Sequence, residues 1–425
     1  MNLAERDLSV IWRPYTQMLN ADLPVAIVKG EGALVFDEYG KAYVDAISSW
    51  WVNIHGHCHP YINQKITDQV QTLEHVIFAG FTHEPAVRLA ERLLELLPSN
   101  QKRVFYSDNG STAVEVALKM AFQYFKNQGR SKPKVIALKH SYHGDTFGAM
   151  SVSSPSAFTS AFKDHLFDVD YIPVPVKGFE EQSKEALAAL IPSGSDNYAA
   201  FIFEPLVMGA GGMLMYEPTV LNDLIRMARK QGILCIADEV MTGFGRTGKN
   251  FACDHLDEKP DIMCFSKGIT AGYIPMGLTS CSQDLFNAFL SEDKGHTFYH
   301  GHSYTGNTLA CAIGNASLDL LLTPETKENI NRIENSHADF VRTLSSQDFN
   351  ISTRQRGTIL AIEIESGDES SYFNPIRTKI PKFFLEEGVL IRPLGNVIYV
   401  LPPYCITEDQ LQLVYDAILK FLKSL

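Results

Sequence analysis

Between about residues 103 and 300, short runs of β-branched and aromatic residues alternate with stretches whose apolar positions recur at helical spacing. That rhythm is strand, helix, strand, and it predicts an α/β domain. The expected strands are 103–107, 134–140, 198–205, 233–240 and 261–266. Each runs into polar or glycine residues, and such strand ends are where α/β folds keep their sites. Between them, Val114, Ala117, Leu118, Ala121, Phe122 and Phe125 give one apolar face to a helix over 111–126, and 218–232 reads as a helix closed by its glycine. After about residue 310 the pattern changes to a long apolar helix (309–322), strands at 358–364 and 396–401, and a helix at 375–387 between them. The last helix starts at Glu408 behind the capping box Thr407-Glu-Asp-Gln410 and carries Leu411, Val414 and Ile418 on one face. These elements predict a second, smaller α+β lobe, with no repeat or linker separating it from the first.

Composition narrows the classes. Of 425 residues, 37 are Lys or Arg and 49 are Asp or Glu, a net charge of -12 that argues against nucleic acid or an anionic membrane as partner. With 45% hydrophobic residues the chain can bury a sizeable core. The seven cysteines are scattered, without a C-x-x-C pair, which fits reduced thiols in a cytoplasmic protein. The charged opening Met1 to Asp7 does not read as a signal peptide, and no apolar stretch of about 18 residues offers a membrane span.

Two phosphate motifs fail on inspection. Gly243 to Lys249 satisfies G-x-x-x-x-G-K, but Asn250 stands where a nucleotide loop needs a hydroxyl for magnesium. Gly209-Ala-Gly-Gly-Met-Leu214 starts like a dinucleotide fingerprint, yet Leu214 replaces its third glycine and Pro218 delays the helix, so a plain glycine loop is the better reading. His55, His57, Cys58 and His59 lack a second ligand cluster at zinc-like spacing, and no metal is expected.

Three other features belong together. Ser107-Asp-Asn-Gly110-Ser111-Thr joins a strand to a helix, so backbone N–H groups there can cradle a small phosphate, unless Ser111 is simply the helix N-cap. Asp238 ends an otherwise apolar strand, as a carboxylate that needs a cationic or donor partner. Lys267 ends another, where desolvation lowers an amine's pKa and suits it to imine chemistry or commits it to an ion pair. A phosphate cradle, a carboxylate for a pyridinium nitrogen and an imine-forming lysine are what pyridoxal 5′-phosphate requires of a protein. Tyr142, after a third strand, is placed to stack on the ring or to pack at the strand end.

The segments Ser141-Tyr-His-Gly-Asp-Thr146, Ala237-Asp-Glu-Val-Met-Thr-Gly-Phe-Gly-Arg-Thr-Gly248 and Phe265-Ser-Lys-Gly-Ile-Thr270 resemble the class III aminotransferases of pyridoxal phosphate fold type I, over essentially the whole chain. The resemblance implies a mainly parallel central sheet in a large domain (56–310) and a small domain formed by both chain ends (1–55 and 311–425). It also implies a homodimer with its sites at the subunit interface. It gives Lys267 the imine, Asp238 the pyridine nitrogen, Gly110 and Ser111 the phosphate, and Tyr142 the ring face and substrate. His302 and Ser303 would reach the phosphate from the other subunit.

Within the class, the segments around Tyr15, Trp50 and Arg392 resemble a branch that aminates 8-amino-7-oxononanoate. They imply that Tyr15 and Trp50 line the acceptor pocket, Tyr15 taking part in catalysis, that Gly301 touches substrate and that Arg392 grips the acceptor's carboxylate. An acceptor with a long methylene chain ending in a carboxylate needs aromatic walls and one fixed cation, which Tyr15, Trp50, Trp51 and Arg392 supply. His302-Ser303 departs from the Pro-Thr of the branch whose donor is S-adenosylmethionine. That donor remains the expectation, with lysine as the alternative. The other readings are a different class III enzyme acting on ω-amino acids or acetylornithine, and a non-catalytic protein.

Overall fold

The computed structural model describes residues 1–192, 196–365 and 374–425. Its centre is a seven-stranded sheet in the order Gln101–Ser107, Gly277–Ser282, Ile262–Phe265, Leu234–Asp238, Tyr198–Phe203, Lys134–Leu138, Val169–Ile172. Gly277–Ser282 runs antiparallel to both neighbours, and the remaining strands share one direction. The predicted strands are all present; the first starts two residues earlier, at Gln101, and the others are trimmed by one to three residues where their ends leave the ladder.

Side-chain alternation divides the core in two. Ala200, Ile202, Ile236 and Ile262 face one way, onto Val114, Ala117 and Ala121 of the helix Gly110–Asn127. Phe201, Phe203, Cys235 and Met263 face the other, into the cluster that holds Leu221, Leu224 and Ile225 of the helix Pro218–Lys230. The strand Tyr198–Phe203 is buried throughout, as covering both faces of a parallel sheet requires.

A second sheet joins both chain ends. Its strands Ile27–Glu31, Leu34–Asp37 and Ala42–Asp45 are followed by Val389–Leu390, which pairs parallel with Ala42–Asp45. A third, antiparallel sheet contains Ile351–Arg356, Ile359–Ile364 and Val397–Val400. The expected helix at 375–387 is a 3-10 turn, Pro375–Thr378, continued by the α-helix Lys379–Glu386. Gly209 to Leu214 forms the loop of a small hairpin, Val207–Met208 with Leu214–Met215, in keeping with a glycine loop. Among the described residues no helix is long and apolar enough to cross a membrane.

Candidate active site

The parallel strands all end at one edge of the sheet, and a cavity of about 600 Å³ opens there. The helix Gly110–Asn127 aims its N-terminus at it. Its N-cap is Asn109, whose carboxamide oxygen accepts the Thr112 N–H at 3.0 Å, and not Ser111, which sits two residues later, inside the first turn. The N–H groups of Gly110 and Ser111 precede the capped one and carry the positive end of the helix dipole. Neither glycine of the cradle tolerates a side chain: a Cβ on Gly110 would lie 2.9 Å from Val240 Cγ1, and one on Gly144, at φ +131°, would run into the Ser111 hydroxyl. That hydroxyl accepts the Asp145 N–H at 3.1 Å, fixing the loop that follows the strand Lys134–Leu138.

Asp238 lines the same cavity from the end of its strand. One carboxylate oxygen accepts the Val240 N–H at 3.0 Å, and the other lies 2.7 Å from Nδ1 of the buried His143. Lys267, at φ 48°, comes from the next strand end and projects its ammonium 4.6 Å from the centre of the Trp51 ring. Burial pulls its amine down to about 8, against the charges of Asp238 and Glu204, which hold it up. An amine poised there is in part unprotonated near neutrality and can attack an aldehyde.

A further carboxylate, Glu204, follows the strand Tyr198–Phe203. It is buried in the cavity wall, where its two oxygens accept the N–H groups of Tyr142 (3.0 Å) and Gly209 (2.8 Å). Desolvation, reinforced by Asp238, raises it to about 7. Its wholly apolar strand was the available signal, because a carboxylate placed there must be satisfied by the backbone around it. Asp145 accepts a hydrogen bond from the Tyr15 hydroxyl.

Tyr15, Trp50 and Arg392 meet beside this cavity. The Tyr15 hydroxyl lies 3.1 Å from that of Tyr142, and its ring packs edge-on against Trp50 (5.6 Å) and Phe158 (5.5 Å). The Arg392 guanidinium lies 4.5 Å from the centre of the Trp50 ring. Burial, with Tyr15 close by, pushes the Tyr142 phenol well above its ordinary pKa, so it keeps its proton. The two tryptophans sit on a left-handed run, Ser48, Ser49, Trp50 and Trp51, with φ of 50, 45, 75 and 74°. Such backbone costs L-residues about 1–2 kcal/mol each, so the surroundings must hold it. Part of the hold comes from Arg246, wholly buried, which donates to the carbonyls of Trp51 (3.2 Å) and Pro402 (2.9 Å).

Gly301, His302 and Ser303 do not join the others within one chain. They form a turn ahead of the helix Thr308–Leu321, outside the walls of the main cavity, with the Ser303 carbonyl accepting from His75 Nε2 at 2.7 Å. The histidines after the tryptophans are engaged separately: His55 with the Ser317 carbonyl (3.0 Å) and His57 with Asp45 (2.9 Å).

Residues 16–422 match the family model Aminotransferase class-III. The chain belongs to the class-III aminotransferases. It is 45% identical to the adenosylmethionine-8-amino-7-oxononanoate aminotransferase of Synechococcus elongatus, over 98% of this chain and 99% of that protein. It is 36% identical to the enzyme of the same name from Staphylococcus aureus, over 96% and 95%. The crystal structure of adenosylmethionine-8-amino-7-oxononanoate aminotransferase from Methanocaldococcus jannaschii superposes with a TM-score of 0.94 at 35% identity, over 99% and 98%. An omega transaminase from Pseudomonas jessenii, solved in complex with PMP, gives 0.93 at 25%, over 100% and 98%. Class-III aminotransferases are α/β enzymes of fold type I that depend on pyridoxal 5′-phosphate, and the cavity suits that cofactor. It offers an amide cradle closed to side chains, a buried carboxylate braced by His143, and a desolvated amine, within one space of about 600 Å³.

Proposed function

We propose that the protein transfers an amino group from S-adenosylmethionine to 8-amino-7-oxononanoate, giving 7,8-diaminononanoate, a step of biotin biosynthesis. The observation that carries this reading is the line Arg392, Trp50, Tyr15, Tyr142, in which a cation and aromatic rings lead toward the cavity that holds Lys267. An acceptor with an apolar chain and a terminal carboxylate suits that line, and relatives at 36 to 45% identity are adenosylmethionine-8-amino-7-oxononanoate aminotransferases by name. The enzyme works in the cytoplasm as a homodimer. In this reading residues 56–310 carry the cofactor, while 1–55 and 311–425 form the smaller lobe, and the turn with Gly301, His302 and Ser303 completes the site of a second copy of the chain.

When bound, pyridoxal 5′-phosphate supplies an electron sink for the bonding pair released as a substrate C–H bond breaks. Gly110 and Ser111 hold its phosphate by their N–H groups. Asp238, oriented by His143 and the Val240 N–H, keeps the ring nitrogen protonated. Lys267 Nζ would hold the aldehyde carbon at rest, and as the general base it would take the proton from the donor's Cα and, in the second half-reaction, return one to the acceptor's former carbonyl carbon. Tyr142 covers the site, and its retained proton lets the Tyr15–Tyr142 pair donate to an acceptor oxygen. Arg392 fixes the far carboxylate, so that the reacting carbon stops near Lys267.

The test supplies cofactor-loaded protein with 8-amino-7-oxononanoate and either S-adenosylmethionine or lysine, and detects 7,8-diaminononanoate by mass spectrometry. Product with S-adenosylmethionine is expected. Product with lysine alone overturns the donor, and no product with either overturns the acceptor. Arg392→Leu is expected to raise the acceptor's KM about ten- to a hundredfold with kcat little changed, the worth of one charge-assisted contact. Steady-state kinetics at varied acceptor check it.

Lys267 gives a pH prediction. Only the free amine attacks the aldehyde, so uptake of pyridoxal 5′-phosphate by the apoprotein should speed about tenfold per pH unit below 8 and level off above it. Stopped-flow absorbance across pH 6 to 10 measures this profile; a rise centred near 10.5, the ordinary lysine value, would contradict it.

A further inference from the structure

The left-handed run that presents Trp50 and Trp51 is held from behind by a buried carboxylate and a part-buried imidazole, neither of which lines the cavity. Asp45, fully buried at the end of the strand Ala42–Asp45, accepts the N–H groups of Ile47 (3.3 Å) and Ser49 (2.9 Å) on one oxygen and the Ser49 hydroxyl (2.7 Å) on the other. That second oxygen also faces His57 Nε2 at 2.9 Å. The Asn53 amide donates to His57 Nδ1 at 3.0 Å, which leaves the ring proton on Nε2, directed at Asp45. His57 is anchored in turn. Its backbone bonds Gly32 in both directions (3.1 and 2.7 Å), and its side chain lies over Gly30, where an added Cβ would come within 2.7 Å of it.

The same strand end carries the other half of the pocket. Asp45 pairs with Leu390, and the Ala46 N–H donates to the Leu390 carbonyl at 3.2 Å, two residues before Arg392. The cofactor cradle, by contrast, comes from different strand ends, those that lead to Gly110 and Asp238. Loosening the turn would therefore displace the acceptor's wall and leave the phosphate cradle and Asp238 in place, with Trp51 the one point where the turn also meets the cofactor cavity.

We propose that Asp45 and His57 are positioning residues that set the acceptor pocket by locking the Ser48–Trp51 turn in its left-handed form. This rests on the reading of Trp50 as a wall of that pocket. Neither residue meets a reacting atom, and each acts through the turn it holds.

The test uses pyridoxal phosphate-loaded protein in a Trp12→Phe background, where of the three tryptophans only Trp50 and Trp51 report. His57→Ala and Asp45→Asn are each expected to raise the acceptor's KM about tenfold with kcat within about threefold. Acrylamide quenching of tryptophan emission should rise, and affinity for pyridoxal 5′-phosphate should fall by much less than KM rises, since only Trp51 links the turn to the cofactor cavity. His57→Gln, which keeps a donor near the position of Nε2, should restore both KM and quenching. The proposal is overturned if quenching and KM stay at parental values, if cofactor affinity falls in step with KM, or if His57→Gln behaves like His57→Ala. If the parent yields no product from the oxononanoate, the proposed acceptor has failed, and the quenching series still decides whether Asp45 and His57 hold the turn. Should Asp45→Asn not fold, His57→Ala, at a partly exposed position, carries the same comparison.

Discussion

Lys267→Ala should lower transamination by about four orders of magnitude, because one atom, Nζ, both holds the cofactor's aldehyde and moves the substrate proton. The two losses differ in kind. Removing the tether slows exchange of the cofactor between resting and loaded forms, whereas removing the base stops proton transfer once substrate is in place. Small primary amines added to the solution should recover part of the second and none of the first. Borohydride reduction followed by peptide mapping makes the assignment direct: the parent should carry the cofactor's mass on the peptide with Lys267, and the variant should carry none. A variant within tenfold of parental activity would remove Lys267 from the mechanism.

Asp238→Asn should cost about a hundred- to a thousandfold in kcat, the scale seen when one preorganised electrostatic partner is removed from a reacting centre. The carboxylate is buried, with one oxygen on the Val240 N–H and the other on His143, so its charge is directed with little competition from water. An amide there cannot keep a pyridine nitrogen protonated. Reconstitution with an N1-methylated cofactor, cationic at every pH, separates this account from a packing defect. It should recover a large part of the loss in Asp238→Asn, and a variant that stays inactive would point to displaced His143 instead.

Much of this site was legible before the fold was known, for a physical reason. Asp238 and Lys267 are charged residues closing runs of apolar strand residues, and a polar group in that position needs a purpose or a partner. The helix at Gly110 was equally clear from its apolar face, though its cap was misplaced, since Asn109 and Ser111 are both good N-caps and only geometry separates them.

Elements whose stability comes from tertiary bonding were harder to see. Gly277–Ser282 reads Gly-Leu-Thr-Ser-Cys-Ser, with no strand pattern, yet it lies inside the large sheet. Its hydroxyls are satisfied by the Ala113 carbonyl (Thr279, 2.8 Å) and by Gln101 (Ser280, 2.7 Å). The helix Pro324–Ser345 also drew no prediction. Its apolar contacts, Ile330, Ile333, Phe340 and Leu344, are spread thinly along a polar sequence, and a buried His337 fills the gap by bonding Tyr415 (2.7 Å) and the Thr358 carbonyl (3.1 Å). Glu204 is not legible in the sequence because its partners are backbone N–H groups from two loops, and a sequence does not show which loops a carboxylate will reach.

The parallel pairing of Ala42–Asp45 with Val389–Leu390 bears on how the chain is made. A ribosome releases the first of these strands more than three hundred residues before the second, so at about 5–20 residues per second the nascent chain carries an unpaired strand edge for on the order of 20 to 70 s. The central sheet, whose strands end by Ser282, can assemble during that interval. The edge near the tryptophans cannot close until the C-terminus emerges. Such an open edge is a template for wrong pairing until the C-terminal strand arrives to cover it.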